Sequence, residues 1–292
     1  MTTDRFLAEL RNFLVRAPSF RGKSRITNFL RGATSGTPRT IRIFDFGGRL
    51  AFDCDLAEHI SGQIFWNGAY SIDQLWVVDA VLPVNGVFLD VGANQGEFTV
   101  YGGGIATAGR VLAFEPMLAN LEKLRNNVAI NHFGNVSIFP VALGEKEGKG
   151  NLFTDPTKAF SERGANSGIG SLIQSETRSS PIGETTILTL DLVCEQENLS
   201  RVDLIKIDVE GGELAVLKGA LATLQKFRPQ LLVELNQDAL RGAGTSVAEV
   251  VALLERVGYS GYLLTDKQQQ IPLREDSLPT FGNALFVPRA VL

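Results

Sequence analysis

Phe88-Leu89-Asp90-Val91-Gly92-Ala93-Asn94-Gln95-Gly96 is an apolar run that closes on an acid and then on two glycines. Residues 87–91 read as a strand of the fully buried kind. The glycines after it permit a tight turn where a Cβ would block the backbone. Helical patterning resumes near Glu97. A strand, a glycine turn and a helix in that order open a β-α-β unit. In open parallel sheets ligands sit beyond the carboxyl ends of the strands, and the amides of the following helix face the same space.

Reading outward, the next apolar run, 111–114, is followed at once by Glu115, 25 residues past Asp90. A carboxylate at the tip of a second strand can accept both hydroxyls of a ribose, so a nucleoside-containing ligand is the economical inference. A helix is expected over 117–131, strands over 136–143 and 202–209, and a helix over 212–227. A strand at 231–235, a helix at 247–257 and strands at 259–264 and 284–287 complete the chain. This alternation specifies an α/β fold built from parallel β-α-β units. Residues 144–186 break the rhythm. They are polar and rich in Gly, Ser and Thr, with short strands expected at 151–153 and 185–188. A long insert of this kind reads as a lid or binding loop. Gly102-Gly103-Gly104 predicts a short or kinked helix after the first turn, because each glycine costs a helix about 1 kcal/mol.

Upstream, residues 4–16 form an amphipathic helical pattern, and 17–40 read as a linker. Residues 41–55 read as a hairpin around Gly47-Gly48, and 56–81 as helix interrupted near Gly62 and Gly68. The expected organisation is a basic head and linker (1–40), a lead-in (41–83) and a main domain (84–292). His59 and His132 read as structural, and Trp66 and Trp76 as packing the lead-in onto the main domain.

The chain has 292 residues, 44% of them hydrophobic, enough for one large core. No apolar run is long enough to span a bilayer, and no secretory signal is legible. Two cysteines argue against a disulfide framework and make a reducing cytoplasm the default. Two histidines and two cysteines make a zinc site of the usual kind improbable, and no metal is assigned. Net charge is −4, but residues 1–42 carry nine basic side chains against Asp4 and Glu9, a net of +7, leaving −11 on the other 250 residues. An acidic body argues against nucleic acid as a partner. For the basic head three readings stand. It packs on the chain's own domain or a second subunit, it lies weakly on an anionic membrane surface through residues 4–16, or it is a free extension.

Two ligand classes compete for the glycine turn. The dinucleotide fingerprint needs glycine where Asn94 and Glu97 stand, and Glu97 would oppose a pyrophosphate. The pattern D-x-G-x-N-x-G suits a ligand without phosphate. S-adenosylmethionine, with a ribose, an amino-acid tail and a sulfonium cation, tolerates nearby carboxylates. An NAD-dependent oxidoreductase and a non-catalytic nucleoside-binding module are the alternatives to a transferase.

The ordered motifs resemble the FkbM-type S-adenosylmethionine-dependent methyltransferases. They are the opening stretch, Ala113-Phe114-Glu115-Pro116, Val141-Ala142-Leu143-Gly144, and Asn166-Ser167-Gly168-Ile169-Gly170-Ser171-Leu172. Thr189-Leu190-Asp191, Ile205-Lys206-Ile207-Asp208-Val209-Glu210-Gly211 and Val233-Glu234-Leu235 follow. The resemblance covers roughly residues 84–290. It implies a Rossmann-like class I methyltransferase sheet, mostly parallel with an antiparallel last strand, and a small N-terminal α+β lead-in. It further implies that Asp90, Gly92, Asn94 and Gly96 line the methionine portion, that Glu115 takes the ribose, that Val141 and Ala142 border the adenine, and that Asp208 lies near the transferred methyl. Where many relatives carry histidine, this chain has Asn236.

If the acceptor is a small-molecule or glycan hydroxyl, a base must take its proton. Candidates at strand ends are Asp208, Glu210, Glu234 and Asn236. Asp208 and Glu210 would face one way on an extended segment. Glu210 alternatively caps the helix that follows. Asp208, Glu234 and Asn236 form a further candidate oxygen set for Mg²⁺.

Overall fold

A computed structural model describes the chain except residues 1–2, 19, 37, 155–159, 162–163, 166–169, 175–177, 179, 266–267 and 291–292. Helices α1 (Thr3–Arg16) and α2 (Lys23–Thr34) precede a hairpin of β1 (Thr40–Phe46) and β2 (Leu50–Asp55), then α3 (His59–Asn67) and α4 (Ile72–Val81). The main sheet begins with β3 (Val87–Val91), α5 (Glu97–Ile105), β4 (Arg110–Phe114), α6 (Leu118–Ala129) and β5 (Val136–Phe139). β6 (Ala142–Leu143) leads into the insert, which carries β7 (Gly148–Thr154), β8 (Phe160–Ser161), β9 (Gly164–Ala165) and β10 (Gly170–Ser171), and β11 (Pro181–Leu188) leads out of it. The chain continues through α7 (Leu190–Gln196), β12 (Leu204–Ile207), α8 (Glu213–Lys218), α9 (Leu221–Phe227), β13 (Gln230–Asn236), α10 (Gln237–Gly242) and α11 (Val247–Arg256). It ends with β14 (Tyr259–Leu264), β15 (Gln270–Pro272) and β16 (Phe281–Pro288).

The main sheet has the order β15-β14-β16-β13-β12-β3-β4-β5. From β5 to β13 every pairing is parallel. The last strand, β16, is inserted antiparallel between β13 and β14. The chain runs outward from β3 to β5 and then returns to β12, so the order reverses between β3 and β12. That reversal opens a crevice above their carboxyl ends.

Both central strands are buried throughout. Leu89, Val91, Ile205 and Ile207 face a core shared with α7, α8, α9 and α11. Phe88 and Leu204 face a second core, to which the hairpin and α3 contribute Phe46, Phe52, Ile64, Phe65 and Trp66. The lead-in therefore packs directly on one face of the main sheet. In α1, Leu7, Arg11 and Leu14 turn inward. The Arg11 guanidinium donates to the Phe65 carbonyl at 2.8 Å and pairs with Asp45. One face of the basic head thus packs on the chain's own fold. Among the described residues no helix is long and apolar enough to cross a membrane.

Four expectations are corrected. The stretch 17–40 contains α2, whose buried residues are Thr27 and Arg31 instead of aliphatics; the Arg31 stem lies 3.4 Å from where a Cβ on Gly62 would stand, and Trp66 Nε1 donates to Thr34 Oγ1 at 3.3 Å. Gly62 lies inside α3, so only Gly68 ends that helix. The strand expected over 136–143 divides around Pro140, and β6 joins a separate four-stranded sheet with β7, β10 and β11. The helix expected over 212–227 breaks at Gly219, where a Cβ would stand 2.0 Å from the Gly144 carbonyl oxygen.

The three glycines of α5 leave it short but unbroken to Ile105. Their role is close packing: a Cβ would stand 2.6 Å from the Phe88 ring at Gly102, 3.0 Å from Val136 at Gly103 and 2.9 Å from Leu50 at Gly104. This sets up a matched test. Gly32, in α2, is exposed with nothing within 4 Å of a Cβ, so Gly32→Ala should stabilise by up to about 1 kcal/mol. Gly102→Ala should reverse the sign and destabilise by about 1–3 kcal/mol through overpacking against Phe88. Denaturant unfolding of both variants checks this, and a stabilised Gly102→Ala would contradict it.

Candidate functional site

A cavity of about 370 Å³ opens above the β3/β12 reversal. Of the candidates drawn from the sequence, Gly92, Asn94, Glu115, Val141, Ala142, Asp208, Glu210 and Glu234 line it. Asp90, Gly96 and Asn236 do not. Asp90 is wholly buried behind the turn, where Thr99 Oγ1 donates to it at 2.5 Å. Gly96 takes a left-handed φ of 94° at the start of α5. Asn236 turns away to cap α10, accepting from the Ala239 amide at 3.2 Å. The set Asp208, Glu234 and Asn236 is therefore not assembled as an ion site.

The turn after β3 is built for close approach. Gly92 has φ 79°, and a Cβ there would stand 1.8 Å from the Asp208 carbonyl oxygen. The amides of Gly92 and Ala93 both donate to the Phe114 carbonyl at 3.0 Å, tying the turn to the tip of β4. Glu115 reinforces this joint: its Oε2 accepts from the Asn94 amide and its Oε1 from the Met117 amide, each at 2.8 Å. Burial pushes the Glu115 carboxyl up to about 7, against these amides. Each of its oxygens has more than one acceptor site, so both can also receive a hydroxyl from the cavity.

Glu97 does not face the ligand space. It is buried and accepts the amides of Tyr70 at 2.6 Å and Ser71 at 3.0 Å. Beside it Ser61 Oγ donates to Gln95 Oε1. These bonds clamp the lead-in onto the glycine turn and bring Tyr70, Ser71 and Gln74 into the cavity wall. Contrary to the expectation from sequence, Glu97 therefore does not stand where a pyrophosphate would lie. The described lining holds four carboxyl groups, Glu115, Asp208, Glu210 and Glu234, and no Lys, Arg or His.

Lys206, quoted within a motif but given no role by sequence reasoning, organises the acidic side. It pairs in register with Asp90. Its buried Nζ donates to the Gly92 carbonyl at 2.7 Å, stands 3.5 Å from Asp208 Oδ2 and 3.7 Å from Asp90 Oδ1, and lies 5.4 Å from the Phe98 ring centre. Burial opposes its charge, but Asp208, Asp90, Glu234 and Glu115 outweigh that and raise its pKa above the usual lysine value. A lysine inside an otherwise apolar strand was the available signal.

The strand ends at Ile207, so Asp208 and Glu210 reach the cavity around a turn, not along an extended segment. Glu210 has φ 55° and is gripped by the insert. Arg178 pairs with its Oε2 at 3.1 Å, and Ser171 Oγ donates to its carbonyl at 2.9 Å. Glu213, the first residue of α8, accepts the Val209 and Gly211 amides at 3.1 Å and so fixes the turn before the helix. Glu234 is pushed up to about 9, first by burial and then by Asp208, Glu210 and Glu213. Burial first, and then Asp208, Glu234, Glu97 and Glu210, push the Tyr70 hydroxyl up to about 12.

Glu234 gives a pH test with a definite sign. Its carboxyl is protonated in the fold, whereas in the unfolded chain it ionises above its ordinary 4.5. Stability is therefore lost as pH rises through the interval from about 4.5 to about 9. Glu234→Gln removes this slope. Its melting temperature should match the wild type near the acid end and exceed it by a few degrees near the alkaline end. A difference that does not change with pH would contradict the burial assigned to this carboxyl.

The Methyltransferase FkbM domain family matches residues 90–260. The chain is 26% identical over 319 residues to the AMB antimetabolite synthetase AmbE of Pseudomonas aeruginosa, covering 93% of this chain and 14% of that protein. It is 29% identical over 175 residues to Methyltransferase 1 of Beauveria bassiana, covering 56% of this chain and 66% of that one. The chain thus spans a small part of the first relative and just under two thirds of the second. A solved methyltransferase FkbM from Methylobacillus flagellatus aligns with a TM-score of 0.44 at 15% identity, over 91% of this chain and 60% of that one. The family match spans more than half of the chain and contains the tips of β3, β4, β12 and β13, and on it the chain belongs to the FkbM methyltransferase domain family.

Proposed function

We propose that the chain is an S-adenosylmethionine-dependent methyltransferase acting on a hydroxyl of a small molecule or glycan. The observation that carries this reading is the make-up of the cavity wall, four carboxyl groups with no Lys, Arg or His among the described lining residues. Such a wall suits a ligand with a sulfonium and an ammonium and disfavours a pyrophosphate. The residues present fit the cofactor. Glu115 offers two oxygens to a ribose, Gly92 leaves room for a ligand where a Cβ could not stand, and Val141 and Ala142 give an apolar border for adenine. Gly92 and Asn94 would hold the methionine portion, with Asp208 beside the methyl.

When bound, S-adenosylmethionine supplies an electrophilic methyl on a positively charged sulfur. The chain's own tasks are alignment and proton removal. In-line alignment contributes roughly 7–11 kcal/mol to such reactions. Among the carboxyls, Asp208 is the proton acceptor. It is 41% exposed in the cavity mouth, with one oxygen beside the Lys206 ammonium. Glu234, pushed up to about 9, keeps its proton near neutrality and donates a hydrogen bond to the acceptor instead. Glu210 is committed to Arg178. Leu152, Gly170, Ser171 and Leu172 of the insert roof the cavity, which supports its reading as the acceptor lid; the first part of the Asn166–Leu172 motif, residues 166–169, lies outside the described residues. Two free, buried cysteines suit a reducing cytoplasm.

Glu115→Ala should weaken S-adenosylmethionine binding by about 1.5–3 kcal/mol, the range for hydrogen bonds to a charged group. Calorimetry on folded variant checks this, and unchanged affinity would remove the ribose assignment. Asp208→Asn should retain most cofactor affinity while release of S-adenosylhomocysteine, assayed with a pool of hydroxylated acceptors, falls at least about tenfold. Wild-type turnover in that variant would exclude Asp208 as the base.

A further inference from the structure

We propose that the outer faces of α1 and α2 form a docking surface for an anionic lipid bilayer. The two helices turn their inner faces, Leu7, Arg11 and Leu14 in α1 and Thr27 and Arg31 in α2, into the fold. What they leave outside is apolar. Phe6 and Phe13, two turns apart on one face of α1, are exposed, Phe13 by 70%. On α2, Ile26 and Phe29 are exposed on the side away from Thr27 and Arg31, Phe29 by 75%. Phe20 stands exposed in the connection between the helices. Soluble surfaces rarely carry so many aromatic side chains in so short a stretch without an apolar partner.

The charge around these side chains selects the partner. Arg16, Arg21 and Arg25 are exposed and belong to no ion pair among the described residues. Aromatic side chains that enter the acyl boundary, flanked by arginines at headgroup level, are the requirements of an interfacial helix. A two-fold contact between copies of the chain through this surface would bring the same basic patch from both copies together. Duplex nucleic acid would engage the arginines, but its bases are already stacked and give the helical phenylalanines no apolar medium. Residues 43–292, at −11, are repelled by an anionic surface, whereas the exposed Arg16, Arg21 and Arg25 are drawn to it, so the approach is oriented.

Co-sedimentation of the full chain with vesicles tests this. Binding is expected to vesicles containing roughly one third phosphatidylglycerol in phosphatidylcholine, and to fall at least about tenfold in pure phosphatidylcholine or when salt is raised from about 0.05 M to about 0.5 M. Two exposed variant sets, Phe13→Ser with Phe29→Ser, and Arg16→Glu with Arg21→Glu and Arg25→Glu, should each lower binding at least about fivefold. Their melting temperatures and S-adenosylmethionine affinity should stay at wild-type values. Absence of vesicle binding at low salt, or variants that bind like the wild type, would overturn the proposal. So would a dimer by light scattering that both variant sets dissolve without any vesicle binding, or binding only to a single-stranded oligonucleotide, insensitive to the phenylalanine changes.

Discussion

The buried ammonium of Lys206 is the contact on which the site depends. A charge taken out of water is unfavourable unless its partners replace the solvent. Here they come from separate parts of the chain: the Gly92 carbonyl in the turn, Asp90 in the neighbouring strand and Asp208 at the tip of its own strand. Thr99 of α5 holds the other oxygen of Asp90. One cation therefore joins the tips of β3 and β12 and the start of α5. It offsets the repulsion of carboxylates that would otherwise crowd one end of the sheet. That is how four carboxyl groups can line one cavity without a positive side chain in its wall.

Two other parts of the chain close the cavity around that centre. The lead-in is clamped by Ser61 on Gln95 and by Glu97 under the amides of Tyr70 and Ser71. The insert is held by Arg178 and Ser171, which both grip Glu210. Tyr70, Ser71 and Gln74 stand before the stretch that the family matches, at residues 90–260, yet they complete one wall. The matched stretch thus supplies the strand tips, and the lead-in, which precedes it, supplies one wall of the cavity.

Strands such as β3 and β12 were legible because burial on both faces makes them continuous apolar runs. The positions of Glu115 and Asp208 were legible for the same reason, since each follows directly on such a run. α2 was not legible, because its buried face is Thr27 and Arg31. The glycines of α5 were read by helix propensity, although Phe88, Val136 and Leu50, distant in sequence, explain their presence. Glu97 was assigned to the ligand space because its amide partners lie 26 and 27 residues upstream. Arg178 gave no local signal, and Tyr70 was legible only as part of the lead-in. Asn236 sits at the end of β13, where a functional residue was expected, but its side chain is spent on the cap of α10.

The central claim is that the carboxylate-lined cavity selects a cationic nucleoside ligand. Direct calorimetric titration of the full chain with S-adenosylmethionine and, separately, with NAD measures that selection. The account predicts saturable, one-site binding of S-adenosylmethionine and affinity for NAD weaker by at least about a hundredfold, the scale of a few kcal/mol of electrostatic mismatch. Equal affinity for the two, or tighter binding of NAD, would contradict it.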